Sequence, residues 1–159
     1  MGTKLNFYEE SVKVPFIISW KGKIIPAINQ TIISGLDVLP TMCDYAGIDI
    51  QEPFLGKSLK SIIENPESEL NRFIVTELAT DPKNPEWKGR MIRMNQYKYN
   101  LYSKGESNEQ LFDIAKDPGE MNNLASEPAL QKVKELLRKN LVNWMKQTND
   151  DFLTVWDKK

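Results

Sequence analysis

The 159 residues carry 40% apolar and 27% charged side chains with a net charge of −1, a globular balance without the basic excess that nucleic acid binding needs. One cysteine and no histidine exclude an internal disulfide and the usual zinc spacings. The longest apolar run, Val14 to Ile18, contains Pro15 and is far too short to cross a bilayer, so neither nucleic acid nor a membrane is expected as a partner.

The first residues hold no apolar stretch of the secretory-signal kind, and Asn6 breaks the myristoylation pattern that Met1-Gly2 begins. Any export signal is therefore expected upstream. Val14-Pro15-Phe16-Ile17-Ile18-Ser19-Trp20 is apolar without alternation, which predicts a strand buried on both faces of a mainly parallel sheet. No later run is an obvious parallel partner. Its unpaired edge is expected either to pair with a second copy, giving a homodimer, or to leave residues 1 to about 34 mobile. A second strand is expected over Ile28 to Ser34. Leu36 to Pro40 then leads into a helix that closes near Ala46, with Gly47 as its C-terminal cap. Ser58 to Ile63 predicts a short amphipathic segment ended by Asn65-Pro66.

Phe73 to Glu77 is a strand by its β-branched content, and Pro82 and Pro85 forbid regular structure in the loop from Ala79 to Lys88. Gly89 to Ala125 reads as an antiparallel meander. A two-residue loop at Asn95-Gln96 sets Met94 opposite Tyr97, Ile92 opposite Tyr99 and Arg90 opposite Leu101. Leu111 to Ile114 supplies the next strand. In Asp117-Pro118-Gly119-Glu120, proline presets the first central turn position and glycine supplies a positive φ at the second. With Phe73 to Glu77 the sheet has four strands. A last helix is expected from about Glu127 to Lys146, with Pro128 in its first turn and Leu130, Val133, Leu137, Leu141 and Trp144 along one stripe.

The order and spacing of several pieces carry a resemblance: Lys4 to Trp20, Leu36 to Ile48, Arg90-Met91-Ile92-Arg93, Tyr97-Lys98-Tyr99, Leu111 to Glu120 and Asn123-Leu124-Ala125. Over nearly its whole length the chain resembles the C-terminal portion of type I sulfatases, arylsulfatase-like enzymes of the alkaline-phosphatase superfamily. The resemblance implies an α/β fold that is α+β in its C-terminal part. Residues 1–70 would close the catalytic α/β domain as a fragment of its large sheet. Residues 71–159 would form a small four-stranded antiparallel subdomain packed against a terminal helix.

The same resemblance implies sulfate-ester hydrolysis, with Lys4 as the catalytic lysine that binds the sulfate. A fixed ammonium there would stabilise the charge that develops on the bridging oxygen as the S–O bond breaks; the alternative is a solvated lysine near a loose terminus. Calcium and a formylglycine nucleophile are expected in the intact enzyme, and no residue of this chain is assigned to a metal. Cys43 is followed by Asp44-Tyr45-Ala46-Gly47, so it lacks the Pro or Ala at +2 and the Arg at +4 of the formylglycine motif and is expected as a buried helix residue. Glu77 and Trp87 are the candidate substrate-binding residues, beside a loop that would rim the pocket. Trp87 either stacks on a sugar or aryl ring or packs over the sheet edge.

The expected substrate is a sulfated glycan or an aryl sulfate, and a periplasmic or secreted location follows from the resemblance alone. The fragment is expected to be inactive by itself. A second reading from another class is a non-catalytic binding or assembly module derived from a sulfatase. Two charge patterns complete the picture. Of the adjacent Glu9 and Glu10, one is expected to pair and the other to be solvated. Arg93 and Lys98 face each other across the hairpin, so a carboxylate or an anion must lie between them.

Overall fold

The computed structural model describes residues 6–51, 54–79, 84 and 86–156, with side chains as far as Thr154. The chain gathers into two compact units, Met1–Val14 with Val75–Lys159, and Pro15–Ile74.

The first unit is built on an antiparallel sheet of four strands, β1 (Phe73–Ala79, of which Val75 onward belongs to this unit), β2 (Lys88–Met94), β3 (Tyr97–Tyr102) and β4 (Glu109–Asp113), in that spatial order. The β2–β3 register is the expected one, with Met94 opposite Tyr97, Ile92 opposite Tyr99 and Arg90 opposite Leu101. Asn95 opens the loop with φ +52°, a left-handed conformation that asparagine tolerates better than most residues. Strand alternation then divides the residues between two faces. Ile92, Tyr99, Leu101 and Leu111 share one, fully buried. The helix α4 (Gln131–Gln147) packs across β2 and β3. Gly89, Met91, Arg93, Lys98, Asn100, Tyr102 and Phe112 share the other face.

Three details depart from expectation. The buried line of α4 is Leu137, Leu141 and Met145, an i, i+4 ridge that continues to Met145 and leaves Trp144 half-buried. Pro128–Leu130 forms a 3₁₀ turn ahead of the α-helix. In the Asp117 to Glu120 turn it is Glu120, not Gly119, that takes a positive φ, +52°, while its N–H donates to the Asp117 carbonyl. The glutamate side chain has work to do inside the unit, described below.

The outer edge of β4 is closed by the Asn123-Leu124-Ala125 segment. Asn123 Oδ1 accepts the Leu111 N–H at 3.0 Å, Asn123 Nδ2 donates to the Glu109 carbonyl at 3.1 Å, and the Leu124 N–H donates to the Leu111 carbonyl at 2.8 Å. This edge is thereby blunted against pairing with other chains.

The second unit contains α2 (Val38–Ala46) and α3 (Lys60–Glu64). Gly47 caps α2 with φ +66°, as its position predicts. Asp37 is fully buried; its carboxylate accepts the Ser34 and Lys57 N–H groups and pairs with Arg72 Nη1 at 2.8 Å. Gly56 lies so close to Leu36 that a Cβ would meet its carbonyl oxygen at 2.0 Å. The strands expected over Val14 to Trp20 and Ile28 to Ser34 do not form; Val14 is 68% and Ile17 87% exposed. A strand apolar on both faces is held by parallel neighbours and covering helices, and no described segment pairs with this one.

Candidate functional site

Residues 6–12 are bound to the sheet face opposite Leu137. Asn6 Oδ1 accepts the Tyr8 N–H and the Ser11 hydroxyl, turning the chain into the single-turn helix α1 (Glu9–Val12). Phe7 is 1% exposed and stacks at a tilt on Tyr102, ring centroids 5.4 Å apart. A Cβ on Gly89 would come within 2.7 Å of the Phe7 ring, so glycine makes the seat for it. Tyr8 lies against Phe112. Burial pushes the Tyr102 phenol up to about 12, opposed by a hydrogen bond from the Phe7 backbone.

Lys98 lies beneath this segment with no exposed side-chain surface. An ammonium has three protons to donate, and three acceptors meet them: Glu9 Oε1 at 2.7 Å, Glu120 Oε1 at 2.8 Å and the Phe7 carbonyl at 2.8 Å. The other Glu9 oxygen accepts from Arg93 Nη1 at 2.8 Å, and the other Glu120 oxygen accepts the Glu9 N–H at 2.6 Å. Two cations and two carboxylates thus balance, which is the condition for keeping them out of water. Burial raises the Glu9 carboxyl, but the Lys98 and Arg93 hydrogen bonds and charges outweigh it and hold the group below its ordinary value. The repulsion expected between Arg93 and Lys98 is resolved by an internal carboxylate, and Glu10 is solvated. Glu120 went unnoticed in the sequence because its turn position concealed it; the signal was a second acid needed to balance Lys98.

A second ion cluster stands at the other end of β2. Arg90, 4% exposed, holds Asp150 through two hydrogen bonds of 2.6 and 2.7 Å, covers the Phe152 ring, and reaches Glu77 at 3.4 Å. The Asp150 carboxyl is raised by burial yet held low by Arg90 and the Phe152 N–H. Lys88 pairs with Asp151.

Of the residues singled out from the sequence, Lys4 lies outside the described residues. Glu77, with 59% of its side chain exposed, is tethered to Arg90; Trp87 is 52% exposed just ahead of β2. Cys43 is a half-buried residue of α2. No three His, Cys, Asp or Glu side chains among the described residues converge into a metal-binding group. Glu9, Glu120, Asp37 and Asp150 all face cations, an arrangement that opposes a divalent ion, so calcium does not fit the described residues. The second unit has an open pocket of about 150 Å³ lined by Phe16, Ile18, Asn29, Thr31, Leu59 and Ile62 among others; no charged side chain lines it. No described helix is long and apolar enough to cross a membrane.

Comparison with known proteins gives the chain its place. Residues 3–147 match the family model described as N-sulphoglucosamine sulphohydrolase, C-terminal. A Δ4,5-hexuronate-2-O-sulfatase of Bacteroides thetaiotaomicron is 33% identical over 95% of this chain and 32% of its own length. Arylsulfatase K of Mus musculus is 30% identical over 96% of this chain and 30% of its own. Among solved structures, a 2-O GAG sulfatase superposes with a TM-score of 0.64 at 34% identity, over 75% of this chain and 26% of that one. A protein solved in complex with its substrate D-glucosamine-2-N,6-O-disulfate superposes at 0.61 with 25% identity, over 72% of this chain and 24% of that one. The chain spans about a third of the length of the curated relatives it matches. The sheet, its crossing helix and the family match together show that the chain belongs to the sulfatases, as a C-terminal domain of the N-sulphoglucosamine sulphohydrolase type.

Proposed function

We propose that this chain is the C-terminal part of a hydrolase of sulfate esters on sulfated glycans, and that it contributes Lys4 to the sulfate site and Glu77 and Trp87 to the rim that takes the sugar. The observation that supports the reading is the anchoring of residues 6–12 on the sheet, which ties the chain down from two residues after Lys4 onward. In this role the S–O bond breaks with its electron pair passing to the bridging oxygen, and the Lys4 ammonium stabilises that charge more than it stabilises the intact ester. The nucleophile and metal are expected from formylglycine and calcium in the rest of the enzyme, outside the cell or in the periplasm. The relatives named for hexuronate 2-O-sulfate and disulfated glucosamine favour a sulfated uronic acid or hexosamine unit over a simple aryl ester.

The test is steady-state hydrolysis of sulfated glycan oligosaccharides and an aryl sulfate by the sulfatase polypeptide that contains this chain. Lys4→Ala is expected to lower kcat/KM by about 100-fold or more, the loss typical of removing one charge-stabilising donor. Turnover within twofold of the parent would remove Lys4 from the site. The isolated 159 residues are expected to give no turnover with added calcium.

A further inference from the structure

We propose that Lys98 and Glu120 are positioning residues that hold the Lys4-bearing segment in place, so that the small sheet sets the geometry of the sulfate site. The proposal rests on the Lys4 reading above. Lys4 precedes Phe7 by three residues, so covalent reach keeps it within about 11 Å of the Phe7 Cα. Phe7 and Glu9 are the residues that Lys98 and Glu120 grasp. Lys98 holds the Phe7 carbonyl, a backbone atom, and Glu120 holds the Glu9 N–H, also backbone. Side-chain packing alone would leave the main chain free to slide; these two bonds fix it at two points, and the Phe7 ring in its glycine seat fixes a third.

Two features go beyond what simple stability demands. Glu120 occupies a left-handed backbone conformation beside Gly119, which would adopt it without strain, so the fold gives up conformational ease to aim a carboxylate at the Glu9 N–H. Lys98 is buried although an apolar residue could fill a sheet position opposite Phe112; a hydrocarbon there would pack but would grip no carbonyl. Reaction rates are sensitive to displacements of about 1 Å in a catalytic group, and directional bonds to the main chain are the means of suppressing them.

The experiment has two arms. In the 159-residue chain, Lys98→Met and the milder Glu120→Gln are compared by amide hydrogen exchange: faster exchange at residues 7–12 is expected, with Ile92 and Tyr99 still protected to show that the sheet has folded. In the sulfatase polypeptide, Lys4→Ala, Lys98→Met and Glu120→Gln are assayed on phenyl sulfate and on 4-nitrophenyl sulfate. Lys4 acts on leaving-oxygen charge, so its loss should weigh more on the phenyl ester, whose leaving group is less stable as an anion. The positioning variants should show the same asymmetry, with kcat/KM on phenyl sulfate down about 10-fold or more, whereas a general loss of folded enzyme would lower both substrates alike. Equal losses on the two esters, or unchanged exchange at residues 7–12, overturn the proposal while a strong Lys4→Ala effect leaves the Lys4 reading standing. An inert Lys4→Ala overturns both, and the exchange arm then still reports whether the clamp exists.

Discussion

Phe7→Ala isolates the docking of the first segment. The ring is buried to 1% against Tyr102 and over Gly89, and truncating such a phenylalanine costs about 3–5 kcal/mol when the surroundings cannot collapse. Here a second outcome competes with the cavity, because residues 6–12 can leave the sheet together. Their release forfeits the Phe7 burial and the charge-assisted bonds of Lys98 to Glu9 and to the Phe7 carbonyl, and it returns conformational entropy to the freed segment. The loss is therefore capped by the docking free energy and is expected at or below the cavity figure of about 3–5 kcal/mol. A urea titration distinguishes the routes. A cavity lowers the midpoint with an unchanged m value, whereas release also lowers m, because less surface remains to be exposed on unfolding. A loss below about 0.5 kcal/mol with unchanged m would refute the docking of Phe7.

Leu137 is fully buried at the centre of the α4 ridge, so Leu137→Ala should cost about 2–5 kcal/mol by denaturant titration, and a loss below about 0.5 kcal/mol would mean that the helix does not dock. Asn123→Ala removes the acceptor for the Leu111 and Ala125 N–H groups and should cost about 1–3 kcal/mol; wild-type stability in thermal melts would refute the edge-closing role. The Glu9 carboxyl is held below its ordinary value of 4.5, so its stabilising effect is complete above that value and disappears as pH falls through the lower, folded-state one. Tyr8 and Glu9 resonances should therefore report release of the segment at acid pH ahead of the sheet, and an acid midpoint indifferent to Glu9→Gln would count against it.

Local rules were legible where the chain itself supplies the partner. The Asn95-Gln96 loop set the β2–β3 register because a one-residue slip would have turned Ile92 and Tyr99 to the wrong face, and Gly47 ended its helix because a left-handed residue was needed there. The Glu9 and Arg93–Lys98 patterns were half legible: like charges across a hairpin demand an acid, and an acid came. Its position, about 90 residues away along the chain, follows no local rule. The strand expected over Val14 to Trp20 failed for a related reason, since an apolar run states that it wants cover without stating what provides it.

By itself, the sequence determined the antiparallel sheet and the crossing helix, which rest on short-range periodicity and turn chemistry, and it carried the resemblance to sulfatases in the order of its motifs. Only the tertiary structure decided that residues 6–12 belong on the sheet, that Glu120 rather than Gly119 takes the left-handed turn position, and that Lys98 is the buried centre on which Phe7, Glu9 and Glu120 converge. These are choices about which distant group satisfies a buried charge, and burial is a property of the folded whole, because the cost of removing an ammonium from water is met only by acceptors that folding brings together.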